Sequence, residues 1–265
     1  MRSLLYNALH LTRYSYNDTL LYMCSRKVLL MATVTSTTLF ASLIIYMFVI
    51  HKNTTAPAKA TDSAIISYLP LGDSYTIGES VSEAERWPNQ LIKIYKPGGK
   101  TLSIVSNPSV TDYTSSDLIH KELPFVKKLN PDFVTVQIGV NDYVQGVELE
   151  TFQRNLIYII GQLKQQLKQP ANILLVTIPD YAKTPTGATY GDPVLASASI
   201  QSFNAVIINT AANTNLPVAD IFTTSQLVTR DTTLIAPDGL HPSGKQYAAW
   251  TMLIKASLET AKIPS

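Results

Sequence analysis

Cysteine is almost missing from this sequence: Cys24 is the only one in 265 residues, so no disulfide can form within the chain. An excess of charge of one sign is missing too, since 21 Lys and Arg stand against 19 Asp and Glu. The basic surplus sits at the start, where Arg2, Arg13, Arg26 and Lys27 face only Asp18. In the rest, 17 basic residues meet 18 acidic ones, which leaves no electrostatic footprint for nucleic acid. Histidine is scarce as well, with only His120 and His241 beyond residue 64. No cluster of metal-ligating residues and no phosphate-binding glycine loop is legible, so neither metal nor cofactor is expected.

What is present begins with an uncharged run of 23 residues, 28–50 (VLLMATVTSTTLFASLIIYMFVI). As a helix it would span about 34 Å, against a hydrocarbon core of about 30 Å. Its Ser and Thr hydroxyls can bond back to the carbonyls of the preceding turn. A cleaved signal would have a shorter apolar stretch, about 7–15 residues, with its cleavage site close behind. The one small-x-small candidate, Ala58-Lys59-Ala60, lies well past the apolar end. An uncleaved single-pass anchor in the lipid bilayer is therefore expected. Four basic residues before the run and fewer after it place residues 1–27 in the cytoplasm and the remainder outside it. Residues 51–64, polar and rich in Ala and Thr, read as a tether.

From residue 65 short apolar runs alternate with longer amphipathic ones. Residues 65–71, 102–105, 133–138, 173–178 and 218–221 read as strands, bounded by Gly, Pro, Asn or Asp. Residues 83–95, 116–129, 149–167, 196–213 and 243–261 read as helices, the first expected to break or kink at Pro88. Strands that are apolar throughout imply burial on both faces, as in a parallel sheet covered by helices. The expectation is one three-layer α/β domain over residues 65–265 with a five-stranded parallel sheet. In such sheets sites form beyond the carboxyl ends of the strands.

Polar clusters fall at those ends. The first strand runs into Gly72-Asp73-Ser74-Tyr75, the second into SNPSVTDYTSSDL, and the third into QIGVNDY with Asn141. APDGLHPSGKQ, with Asp238 and His241, precedes the last helix. A serine hydroxyl is a poor nucleophile until a base acts on it and a further group orients that base. His241, three residues after Asp238, can face a carboxylate with one ring nitrogen and Ser74 with the other. The same D-x-x-H segment can equally be a turn that leads into a helix capped by Ser243. Asn141 can likewise be a turn residue. His120 falls inside an amphipathic helix and reads as a helical surface residue.

Taken together, these four blocks resemble the SGNH hydrolase superfamily of GDSL-type esterases and lipases. The resemblance covers roughly residues 65–261. It implies a flavodoxin-like fold and a serine esterase in which Ser74 is the nucleophile, His241 its base and Asp238 the group that holds the imidazole. The oxyanion would meet the Ser74 N–H, the Asn141 side-chain amide and a third N–H at Asp112. At that third position the family has glycine. Asp tolerates a positive φ better than most residues, but an inward carboxylate would repel the developing charge. Tyr75, Tyr181 and Tyr190 are candidates for lining a substrate pocket, the latter two from residues 179–194, or for packing only. The expected partner is a small or cell-envelope ester, and the chain is expected to be monomeric. A catalytically silent surface module that binds glycan or lipid, and an O-acetyltransferase on the same fold, remain the alternatives.

Overall fold

The computed structural model describes residues 65–264 and Tyr46. The expected cytoplasmic segment, anchor and tether of residues 1–64 lie, Tyr46 apart, outside the described residues. The chain divides after Asp62, and the second unit carries the fold.

Five strands form one sheet: β1 (Ile65–Gly72), β2 (Thr101–Ile104), β3 (Phe133–Gln137), β4 (Ile173–Val176) and β5 (Val218–Ala219). Their order is β2-β1-β3-β4-β5, and every pairing is parallel. All residues of β3 and β4 are buried; β4 is apolar throughout, and β3 adds Thr135 and Gln137, whose polar groups are hydrogen-bonded inside. The chain steps outward from β1 to β2, then returns past β1 to β3 and continues the other way. Right-handed crossovers put the helices of those two excursions on opposite faces. One group pairs Trp87–Ile94 with Gly244–Ala261, and the other packs Leu149–Gln166 against Leu123–Leu129 and Pro193–Asn213. Trp87, Trp250, Tyr68, Tyr247, Phe133 and Phe152 are fully buried between the layers. Truncating one such aromatic to Ala typically costs about 3–5 kcal/mol.

The reversal makes a topological switch point between β1 and β3, where an open α/β sheet leaves a crevice. Register brings Gly72 beside Gln137, so the two strands release their loops side by side.

Two expected helices are interrupted near proline, the first as anticipated and the second not. The expected helix over 83–95 is a single 3-10 turn, Glu83–Glu85, followed by a helix Trp87–Ile94. The expected break thus falls at Arg86, and Pro88 lies in the first turn of the second piece, where no N–H is needed. In the region 116–129 the chain runs Ser115–Asp117, a wide π turn Leu118–Glu122, then Leu123–Leu129. Pro124 has no N–H to give, and the Leu123 N–H reaches back five residues to the Leu118 carbonyl. Among the described residues, Pro193–Asn213 is the one helix long and apolar enough to cross a membrane. Its Ile200, Phe203 and Ile207 are buried in the core, which accounts for that composition.

Candidate active site

At the end of β1 the chain makes a tight turn into one helical turn, Ser74–Ile77. Gly72 is required here, since a Cβ would lie 2.3 Å from both the Gln137 carbonyl oxygen and Thr76 Oγ1. Asp73 caps the turn by accepting the Tyr75 N–H at 3.0 Å. Ser74, the first helical residue, has an N–H with no carbonyl four residues back to bond, so that donor is free for a ligand. The turn closes at Gly78 in the left-handed region (φ 74°).

The loop before the last helix brings His241 to the same place. Asp238 Oδ1 accepts the N–H groups of Leu240 and His241, both at 2.9 Å, which folds residues 238–241 into a tight turn. Ser243 then caps Gly244–Ala261 by accepting the Gln246 N–H. The segment is therefore a turn and a helix cap, and it also presents His241 to Ser74. His241 Nδ1 lies 2.6 Å from Asp238 Oδ2, and its Nε2 lies 3.0 Å from Ser74 Oγ. Ser74 and His241 are buried. Partial burial by itself would raise the Asp238 pKa, but hydrogen bonds from Ser80, Leu240 N–H and His241 outweigh it and hold the carboxyl well below the usual range. Asp238 is thus a carboxylate that can keep the imidazole in one tautomer and stabilise its protonated form.

Donors converge opposite. Asn141 is the second residue of the short helix Val140–Val144, which follows Gly139, whose φ of 129° and contact with the Phe152 ring leave no room for a side chain. One N–H of the Asn141 amide goes to the Tyr113 carbonyl at 3.0 Å, and its second remains for a ligand. Asp112 sits in the left-handed region at φ 67°, a conformation glycine adopts freely. Its carbonyl accepts from Gln145 Nε2 at 2.9 Å. Asp142 ties the same two loops together by accepting the N–H and hydroxyl of Ser115.

A cavity of about 140 Å³ opens where these groups meet, lined among others by Ser74, Asp112, Asn141, Tyr181, Tyr190 and His241. Tyr75 also borders it and packs tilted against His241, with ring centroids 5.4 Å apart. Burial pushes the Tyr75 phenol well above its usual pKa, so it stays neutral. Tyr181 is buried and Tyr190 exposed, with their rings 6.3 Å apart. All eight residues singled out in the sequence lie in or beside this cleft. His120 does not: it is exposed, with Nδ1 2.7 Å from its own helix's Ser116 carbonyl.

Three features were not legible in the sequence. Ser80 donates to Asp238 Oδ2 at 2.6 Å from a backbone at φ 63°. Thr186, from the segment over the cleft, bonds the Gly239 carbonyl through its N–H and the Asp238 carbonyl through its hydroxyl, both at 3.0 Å. Beneath the cleft, Asp73 and Glu122 are buried acids, the Gly72 N–H donating to Glu122 at 3.0 Å. Burial, reinforced by nearby Asp142 and opposed by the Tyr75 N–H, pushes Asp73 up to about 8. Burial likewise pushes Glu122 well above the carboxylate range. A residue-type pattern carries no signal for such pairings.

The model of the GDSL-like Lipase/Acylhydrolase family matches residues 71–249. An arylesterase from Vibrio mimicus is 25% identical over 128 residues, 47% of this chain and 62% of the relative, so less than two thirds of that protein is spanned. Thioesterase 1/protease 1/lysophospholipase L1 of Escherichia coli (strain K12) is 24% identical over 186 residues, 70% of this chain and 78% of the relative. The crystal structure of TesA superposes with a TM-score of 0.58 at 21% identity, covering 74% of this chain and 99% of that one. At that identity the likeness is one of fold.

Proposed function

The chain belongs to the GDSL-like lipase/acylhydrolase family, and on that premise we propose that it is a serine esterase working through an acyl-enzyme. The observation that carries the reading is the line Ser74 Oγ, His241 Nε2, His241 Nδ1, Asp238 Oδ2, with gaps of 3.0 and 2.6 Å at the edge of a cleft. His241 takes the Ser74 proton as Oγ bonds to the ester carbonyl carbon. It then returns that proton to the departing alcohol as the C–O bond breaks. Water repeats the sequence against the acyl-enzyme and releases the acid. Asp238 stays ionised throughout and balances the imidazolium.

The oxyanion would meet the Ser74 N–H, the free Asn141 amide hydrogen and the Asp112 N–H. The left-handed backbone of Asp112 supports this assignment, because aspartate there holds the conformation glycine would. It also counts against the silent surface module, whose chief support was the missing glycine. The cleft is close in size to the roughly 150 Å³ that accommodates benzene in an engineered cavity. That favours short acyl or aryl groups. From the charge asymmetry around residues 28–50 we place the catalytic domain outside the cytoplasm on a single-pass anchor.

Hydrolysis of p-nitrophenyl acetate by the purified domain tests the reaction. Ser74→Ala should reduce kcat by several orders of magnitude. Equal rates for the two proteins would overturn the assignment, and acetyl delivered to a sugar hydroxyl in preference to water would indicate the O-acetyltransferase.

A further inference from the structure

Ser80 breaks a local rule. Its φ of 63° lies in the left-handed region, where a residue with a Cβ is disfavoured relative to glycine by about 1 kcal/mol. It is also exposed, so core packing does not explain the choice of side chain. Such outliers persist where the side chain performs a task. Here the hydroxyl donates at 2.6 Å to Asp238 Oδ2, the oxygen that also receives His241 Nδ1 at 2.6 Å.

The four donors on Asp238 divide evenly. Oδ1 is held by two backbone N–H groups of its own turn, Leu240 and His241. Oδ2 is held by the imidazole and by Ser80, and Ser80 is the one of the four that comes from a distant part of the chain. Its loop is clipped a second time, where Thr111 Oγ1 donates to Glu79. Ser80 follows the nucleophile by six residues, so the same loop that presents Ser74 also reaches across to the acid. With the Asp238 side chain still 29% exposed, loss of this donor would admit water to compete for the His-facing oxygen.

We propose that Ser80 is a positioning residue that fixes the Asp238 carboxylate and, through it, the plane of the His241 ring. The proposal rests on the serine-esterase reading of this site. It explains why a strained serine stands where glycine would be easier.

The test is Ser80→Gly in the full chain, followed by Ser80→Ala. Glycine relieves the backbone and removes the hydroxyl. A merely structural residue would then give unchanged kcat with an equal or higher melting temperature. Positioning instead predicts a kcat lowered about tenfold, the worth of one hydrogen bond to a charged group, with KM within about twofold. The glycine variant should melt no lower than wild type, and Ser80→Ala should lose the same kcat. The low-field NMR resonance of the His241 Nδ1 proton should also shift or broaden in both variants. Wild-type kcat in the glycine variant, or a kcat loss matched by a large fall in melting temperature, would overturn the proposal. Were wild type inert towards every ester, the esterase reading would fail on its own. The resonance would still decide Ser80, because an unaltered signal in both variants rules out its hold on Asp238.

Discussion

Asp112 offers a sharp test of how this site handles negative charge. Its φ of 67° means that Asp112→Gly should settle into the same loop with less strain, worth about 1 kcal/mol. For a domain of about 200 residues that raises the melting temperature by about 2–4 °C. The N–H proposed as an oxyanion donor is retained while a carboxylate is removed from the cleft lining, so kcat on p-nitrophenyl acetate should be equal or higher. Asp112→Val moves the other way, because a β-branched residue resists the left-handed region most strongly. If the backbone flips to relieve it, the Asp112 N–H turns away and the carbonyl loses Gln145. The neighbouring Tyr113 carbonyl, which holds the Asn141 amide, is pulled along, so two donors suffer rather than one. Loss of one oxyanion donor costs about 10²–10³-fold in kcat, and the valine variant should lie towards the larger figure. Stopped assays at saturating ester, paired with thermal melts, separate catalysis from folding. A valine variant that keeps wild-type kcat while folded would refute the assignment of this N–H. A wild type that is inert until glycine is installed would instead identify the carboxylate as a block to catalysis.

Other outcomes follow from the same geometry. His241→Ala should abolish most turnover and His120→Ala leave it near wild type; comparable losses in a steady-state assay would mean the wrong base. Asp73 is raised by burial to about 8 from an unfolded value of about 4, so the stability it contributes is full below about pH 4 and is lost as pH rises towards 8. Asp73→Asn should therefore gain on wild type in urea midpoint between pH 5 and 8.5, and a pH-independent difference would contradict the burial argument. Protease added outside intact cells should remove residues 65–265 and spare 1–27; a protected domain would reverse the proposed orientation.

The sheet was legible because both faces of β3 and β4 are covered, so β4 is apolar from end to end and β3 departs from that only at Thr135 and Gln137. Strand exits were legible for a related reason: glycine and polar residues interrupt the runs where the chain must turn towards the cleft. The break expected at Pro88 is found just before it, but what a proline does depends on its position. Proline is disfavoured in a helix interior but suits a first turn, and Trp87–Ile94 begins with one there and packs against the last helix. The relay of Ser74, Asp238 and His241 was suggested by residue order and D-x-x-H spacing. Ser80 was not, since a hydroxyl's partner 158 positions away leaves no trace in local pattern. Nor does anything near Glu122 announce burial, because the π turn that carries it arises from Pro124 interrupting a helix that looks continuous.

The bonds from Thr186 to the carbonyls of Asp238 and Gly239 bear on any attempt to alter selectivity. Residues 179–194 are the natural place to recut the cleft, for they supply Tyr181 and Tyr190 and end in exposed positions that tolerate exchange. Yet this roof is fastened to the backbone of the acid, and Gly239 lacks space for a side chain because Thr186 Oγ1 would lie 2.6 Å from its Cβ. Varying the roof freely would therefore retune turnover along with preference, and an unproductive library would say little about the pocket. Holding Thr186 and Gly239 constant while varying residues around Tyr190 lets the two properties be moved separately.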